Sequence, residues 1–214
     1  MKFYDYLVLA SGPGAPGMAQ ELGWHGACIA GADAAGASKG TGPDILSGLL
    51  INAKSPEALG KEVAANRKSF EIIIARCATE DAGRAASGTP GIDIIIPPES
   101  CRMDYITARI ARKNGAAIGF EFAQLLHSSG EERCRRFSAM LESARVVRRV
   151  KAPFALVSGA VTEWDLRAPS ELEAFGRVLG FGTPAIRTAL SGRLAGRNRK
   201  RLGGGWVQPG VEVE

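Results

Sequence analysis

Seven times along this 214-residue chain, a short run of β-branched or aromatic residues is followed by a stretch patterned for a helix. The runs are FYDYLVLA (Phe3–Ala10), HGACIAG (His25–Gly31), GLLINA (Gly48–Ala53) and EIIIAR (Glu71–Arg76), then IDIIIP (Ile92–Pro97), AIGFEF (Ala117–Phe122) and FALVSG (Phe154–Gly159). Each is almost continuously apolar and is bounded by Gly, Pro or polar residues. That is the pattern of a strand buried on both faces, as parallel sheets require. Parallel neighbours need a crossover, and helices with start signals lie between the runs. SPEALGKEVAANRKS opens with Ser55 as a cap and Pro56 at the first helical position. In SSGEERCRRFSAMLESARVVRRV, Phe137, Met140, Leu141, Ala144 and Val147 recur at helical spacing, with Glu at the start and Arg at the end. After the seventh run the alternation stops. Two helical stretches, PSELEAFGRVLG and TPAIRTALSGRLAGRNRKR, follow in succession, then a short strand over 206–213. Tandem strand–helix units close into a barrel or spread into an open sheet. The expectation is an α/β fold, a TIM-like (β/α) barrel irregular at its C-terminal end, forming a single domain over residues 1–214.

A composition of 45% hydrophobic and 23% charged residues supports a full core. A net charge of +5 permits nucleic acid or anionic substrates without choosing between them. The cysteines, Cys28, Cys77, Cys101 and Cys134, form no C-x-x-C pair, which argues against structural zinc and against a disulfide framework. They read as buried thiols in a reducing compartment. No apolar run reaches the ~18 residues of a membrane span. Asp5 interrupts the only N-terminal apolar run, so a cytoplasmic, non-membrane protein is expected.

Candidate sites divide by chemistry. GPGAPG (Gly12–Gly17), with Asp33 further on, matches the dinucleotide fingerprint in letters. Pro13 and Pro16 have no N–H to offer a pyrophosphate, and too few residues follow for the usual helix, so a Pro/Gly turn and no cofactor are expected. Alternation in AAIGFEF sets Ile118, Phe120 and Phe122 on one face and Ala117, Gly119 and Glu121 on the other. Glu121 then points into the barrel near its C-terminal mouth, where barrel enzymes keep their sites. It lacks a second titratable group, so a carboxylate balancing an arginine is the reading, with Glu121 as the base of a small-molecule barrel enzyme as the alternative. Two histidines, His25 and His127, and no clustered carboxylates leave a metal site without ligands, and no catalytic residue is assigned. Ser158 and Gly159, with Arg167 nearby, form a candidate anion site.

Basic residues are the remaining signal. Between Arg187 and Arg201 there is no Asp or Glu, while Arg193, Arg197, Arg199, Lys200 and Arg201 stand close together. Dense, locally unneutralised arginine suits phosphate contact.

The segments CRMDYITARIARKNGAAIGFEFAQLL, RRFSAMLESARVVRRVKAPFALVSGA, EWDLRAPSELEAFGRVLGF and GRNRKR, in this order, resemble the archaeal ribonuclease P protein component 3 family, which is shared with eukaryotic RNase P and RNase MRP. The N-terminal part agrees in its strand–helix layout more than in motifs. The resemblance implies a TIM-like barrel acting as a non-catalytic protein subunit. In that assembly the RNase P RNA removes the 5′ leader from precursor tRNA, and ribonuclease P protein component 2, a small ferredoxin-like subunit, is among the protein partners. It also implies RNA or partner contacts at Arg167, Asn198, Arg199 and Arg201, and at Arg76, Arg102 and Arg109. Trp164, Leu166 and Phe181 are expected as apolar anchors for a partner, with a core role as the alternative for Phe181. Related barrel phosphoesterases carry metal-binding histidines in their first strand, and YDYLVL has none.

Overall fold

A computed structural model describes residues 2–9, 14–31, 42–53, 55–99, 102–202, 206–208 and 211–212. Seven strands form one parallel sheet in sequence order: β1 (Tyr4–Val8), β2 (Gly26–Ala30), β3 (Asp44–Ala53), β4 (Ile72–Cys77), β5 (Ile94–Ile96), β6 (Ala117–Glu121) and β7 (Phe154–Val157). The sheet curls into a nearly closed TIM-like barrel, because β1 returns to β7 through a parallel bridge between Val8 and Ala160. Every run picked out by its apolar residues is one of these strands. Period-two alternation then sorts their side chains. Ile72, Ile74, Ile94 and Ile96 turn inward with Tyr4, Tyr6 and Leu46, while Ile73, Ala75, Ile95, Ile118 and Phe120 turn outward. The outward set packs against helices α2 (Pro56–Asn66), α3 (Glu80–Gly88), α4 (Tyr105–Asn114), the short α5 (Ala123–Leu126), α6 (Gly130–Val150), α7 (Pro169–Val178) and α8 (Thr183–Ala189). Each fully buried isoleucine contributes about 1.5–3 kcal/mol relative to exposure, so the run III carries the fold twice over, once to each core.

The helices begin as their sequences dictate. Ser55 Oγ accepts from the Ala58 N–H at 3.3 Å, and Asp104 Oδ1 accepts from the Thr107 N–H at 2.8 Å. Two expectations need correction. GPGAPG is not a turn where it is described: Gly14–Glu21 form helix α1, and residues 12 and 13 lie outside the described residues. Pro16 is tolerated because it stands in the first turn, where backbone N–H groups have no intrahelical acceptor. TPAIRTALSGRLAGRNRKR is not one helix either. It divides into α8 and α9 (Arg193–Leu202) around Leu190–Gly192. A Cβ on Gly192 would lie 2.6 Å from the Tyr4 ring, so only glycine lets the chain pass this close to β1. Downstream, β8 (Trp206–Gln208) and β9 (Val211–Glu212) pair antiparallel where a single strand was expected, and Val213 lies outside the described residues.

The seam between β1 and β7 shows how seven strands close the ring. Above, Leu9 N–H donates to Ala160 O (2.7 Å) and Gly159 N–H to Leu7 O (3.0 Å). Below, the α8–α9 link stands where an eighth strand would run: Tyr4 N–H donates to Leu190 O (2.8 Å), Tyr6 Oη donates to Ser191 O (2.6 Å), and Phe3 bridges Ser191. Between these levels the Asp5 side chain stands in for a missing ladder carbonyl, its Oδ1 accepting from Leu7 N (3.2 Å) and Ser158 N (3.1 Å).

Candidate nucleic-acid interface

The basic C-terminal stretch does not hang free of the barrel. Helix α9 crosses the end where the strands begin, with Ala195 buried, Leu194 packed on the inner core and Asn198 almost wholly buried. Asn198 Nδ2 donates to the Glu71 carbonyl at 2.8 Å. Arg199 forms a bidentate pair with Asp44, 2.8 Å in each arm, while its Nε reaches Glu71 Oε1 at 2.5 Å. Arg197 Nη2 lies 3.1 Å from Asp93 Oδ1, whose other oxygen takes Arg67 at 2.6 Å. Tyr4 Oη donates to Asp44 at 2.8 Å. Hydrogen bonds from Arg199 hold the Asp44 carboxyl below the usual range against the opposing effect of burial, and they raise the pKa of Arg199 itself.

The reading of this cluster as unneutralised is therefore corrected for Arg197 and Arg199. Their counter-charges come from Asp44, Glu71 and Asp93, which precede or open strands far away in sequence. The signal was available: in FEIII and GIDIII a carboxylate stands immediately before an isoleucine run, which places those acids together at the barrel end where strands begin. Arg193 and Lys200 of α9 are exposed. Arg201 is half-buried, with Nε and Nη2 shielded from solvent and without a hydrogen-bond partner among the described residues.

At the opposite end, where strands finish, Arg76 of β4 reaches Glu121 of β6 at 2.5 Å, as the alternation and charge argument expected. Glu121 is only 4% exposed. Its second oxygen accepts from Gln124 Nε2 at 3.1 Å. Burial pushes the Glu121 carboxyl up, and the Arg76 charge works against that shift. Gly159, at φ +65°, lies against it so closely that a Cβ there would collide with Glu121 Cγ. The neighbouring turn offers nothing to an anion. Its N–H groups are all engaged: Ser158 on Asp5, Gly159 on Leu7 O, and Ala160 on Ser158 Oγ at 3.2 Å. Arg167 is likewise occupied, donating to Leu166 O (2.8 Å) and Trp164 O (3.1 Å) with its guanidinium 5.8 Å from the Phe122 ring centre. At the candidate anion site, the backbone donors of Ser158 and Gly159 and the Arg167 Nη1 already have acceptors within the protein.

Other expected contact residues lie on the outer surface. Arg102 is exposed, 3.4 Å from Glu142, and Arg109 sits 5.7 Å over the exposed Tyr105 ring. Of the three expected anchors, Trp164 is 73% exposed, whereas Leu166 and Phe181 are core residues, Phe181 stacking on Phe154 with ring centres 3.8 Å apart. Cys28 and Cys77 are buried, but Cys134 is exposed on α6, against expectation. Cys101, Ser11 and Asp33 lie outside the described residues. Among the described residues no group of three His, Cys, Asp or Glu is placed to hold a metal ion, and no helix is long and apolar enough to cross a membrane.

A family model described as RNase P subunit p30 matches residues 18–198, which includes the N-terminal half where motifs were sparse. Ribonuclease P protein component 3 of Methanosarcina mazei is 30% identical over 230 aligned residues, covering 99% of this chain and 95% of that one. The protein of the same description in Archaeoglobus fulgidus is 27% identical, covering 78% and 81%. Among solved structures, a chain from the cryo-EM structure of archaeal ribonuclease P with mature tRNA superposes with a TM-score of 0.84 at 22% identity, covering 98% and 97%. The Aspergillus niger ochratoxinase superposes with a TM-score of 0.67 at 12% identity, covering 99% of this chain and 74% of that one, a likeness of fold alone.

Proposed function

This chain belongs to the RNase P subunit p30 family, and from that membership we propose that it is the barrel protein subunit of a ribonuclease P ribonucleoprotein. In this reading the RNase P RNA cleaves the 5′ leader from precursor tRNA. The protein, in the cytoplasm, supports that RNA together with ribonuclease P protein component 2 and other subunits. The observation that carries it, beside the family match along nearly the whole chain, is the state of Glu121. A general base must reach a substrate proton within about 3 Å. This carboxylate is closed off by Gly159 and committed to Arg76 and Gln124, which disfavours a small-molecule enzyme using it as base. Trp164 is the exposed anchor available to a protein partner, since large aromatics in a docking surface dominate its energy.

Reconstitution tests this directly. The protein alone is expected to leave precursor tRNA intact with any divalent metal, and cleavage at the 5′ maturation site is expected once the RNA and other subunits are added. In the same assay Trp164→Ala should raise the concentration of the barrel needed for half-maximal activity at least tenfold while leaving its melting temperature unchanged. Cleavage by the protein alone that survives further purification would overturn the reading.

A further inference from the structure

The end of the barrel where strands begin is electrically divided. Around β3–β5, the carboxylates of Asp44, Glu71 and Asp93 meet Arg67, Arg197 and Arg199, and the charges cancel. Around β6 and β7 there is instead an open groove of about 720 Å³, between those strand starts and helices α8 and α9. Arg112, Lys151, Arg193 and Arg197 line it, and among the described residues no Asp or Glu does.

The helix ends here make that surplus of cations informative. Helices α4 and α6 finish at this end, and their terminal carbonyls repel an anion. Arg112 covers Val150 O at 2.8 Å and Arg197 covers Gly115 O at 3.4 Å, so two of the four cations offset the helix ends. Lys151 and Arg193 are left over. Neither side chain enters an ion pair among the described residues. Lys151 is also the one non-glycine residue at positive φ among them, at 56°. It follows α6 in the left-handed position that glycine usually fills, and a lysine there carries a backbone cost. A cation is thus held at the rim of the groove in a conformation its backbone disfavours, and such positions cluster at functional sites.

We propose that this groove binds a phosphodiester stretch of RNA, with Lys151 and Arg193 as its phosphate contacts, an assignment that rests on the subunit reading above. The volume suits a nucleotide-sized segment. The aromatic residues in its wall are already engaged, Phe154 stacked on Phe181 and Tyr6 donating its hydroxyl to Ser191 O, so what the groove adds is charge. Cations contributed by separate elements around an open channel, with no carboxylate in its wall among the described residues, match a continuous line of phosphates.

The test uses the full chain assembled with the other protein subunits and the cognate RNase P RNA, with affinity measured across a salt series. The groove variant Lys151→Gly with Arg193→Gln should make the log–log salt slope shallower by roughly 0.9 for each lost contact on duplex RNA, nearly two units in all. Its melting temperature should hold or rise, because glycine suits the left-handed position; a merely structural role for Lys151 predicts no change in slope. The control, Lys61→Gln with Lys68→Gln, carries the same loss of charge on the exposed surface near α2 and should leave the slope as it was. An unchanged slope in the groove variant, or an equal loss in both pairs, overturns the proposal and leaves the subunit reading intact. Loss of a protein subunit from the assembly with the slope unchanged also overturns it, by assigning the groove to a protein segment. Failure of the wild-type assembly to bind the RNA overturns the subunit reading itself.

Discussion

Asp5 is the residue on which the seam turns, and its chemistry is legible in stability against pH. The side chain is fully buried, Oδ1 accepts two backbone N–H bonds, and Oδ2 has no hydrogen-bond partner among the described residues. Burial above all raises its pKa from 3.8 to about 6. The native state therefore keeps a proton that the unfolded chain releases. The contribution is fully present below about pH 4 and is lost as pH rises through 6, a swing of about 3 kcal/mol for a shift of two units. Asp5→Asn keeps the Oδ1 acceptor and carries no charge. Measured as melting temperature, variant minus wild type, the difference should move in favour of the variant between pH 4 and pH 8. A difference that does not vary with pH would show that Asp5 is not the titrating group.

At the scale of elements, α9 is a stopper whose basic residues have separate duties. Arg199→Gln removes the bidentate pair with Asp44 and the contact to Glu71, leaving carboxylates short of partners. It should cost about 2 kcal/mol in a urea unfolding series and leave the salt slope of RNA binding unchanged. Arg193, which lines the groove, should behave in the opposite way. Composition could not make this distinction, and the reason is physical. Seven strands were legible because each run satisfies a rule local to itself, apolar on both faces and closed by breakers. Glu121 was legible because alternation within β6 fixes its direction. Neutralisation is a property of what arrives from elsewhere. No local count over 187–201 contains Asp44, Glu71 or Asp93, and the break at Gly192 is set by the ring of Tyr4 at the other end of the chain. The Ser158 turn failed as an anion site for the same reason, its donors being consumed by Asp5 and Leu7 across the seam.

For the whole molecule, the ring is closed by residues that are late in the sequence meeting residues that are early. Leu190 and Ser191 bond to Tyr4 and Tyr6, and α9 then binds the starts of β3, β4 and β5. A chain ending at Ala189 lacks these contacts and leaves the inner core open below. It should lose its cooperative thermal transition and bind a hydrophobic dye, whereas a chain ending at Leu202 should unfold in one step; calorimetry separates the two. Contacts this distant in sequence also make folding slow, because loop closure must precede any gain from them. A consequence follows on the ribosome. Synthesis proceeds from the N-terminus at about 5–20 residues per second, so β1 to β7 exist for seconds before the segment that completes the ring has been made. Throughout that interval Asp44, Glu71 and Asp93 form an acidic rim with no arginines from α9 to meet it. Asp44 and Glu71 therefore wait without their arginine until α9 docks, whereas Asp93 already has Arg67.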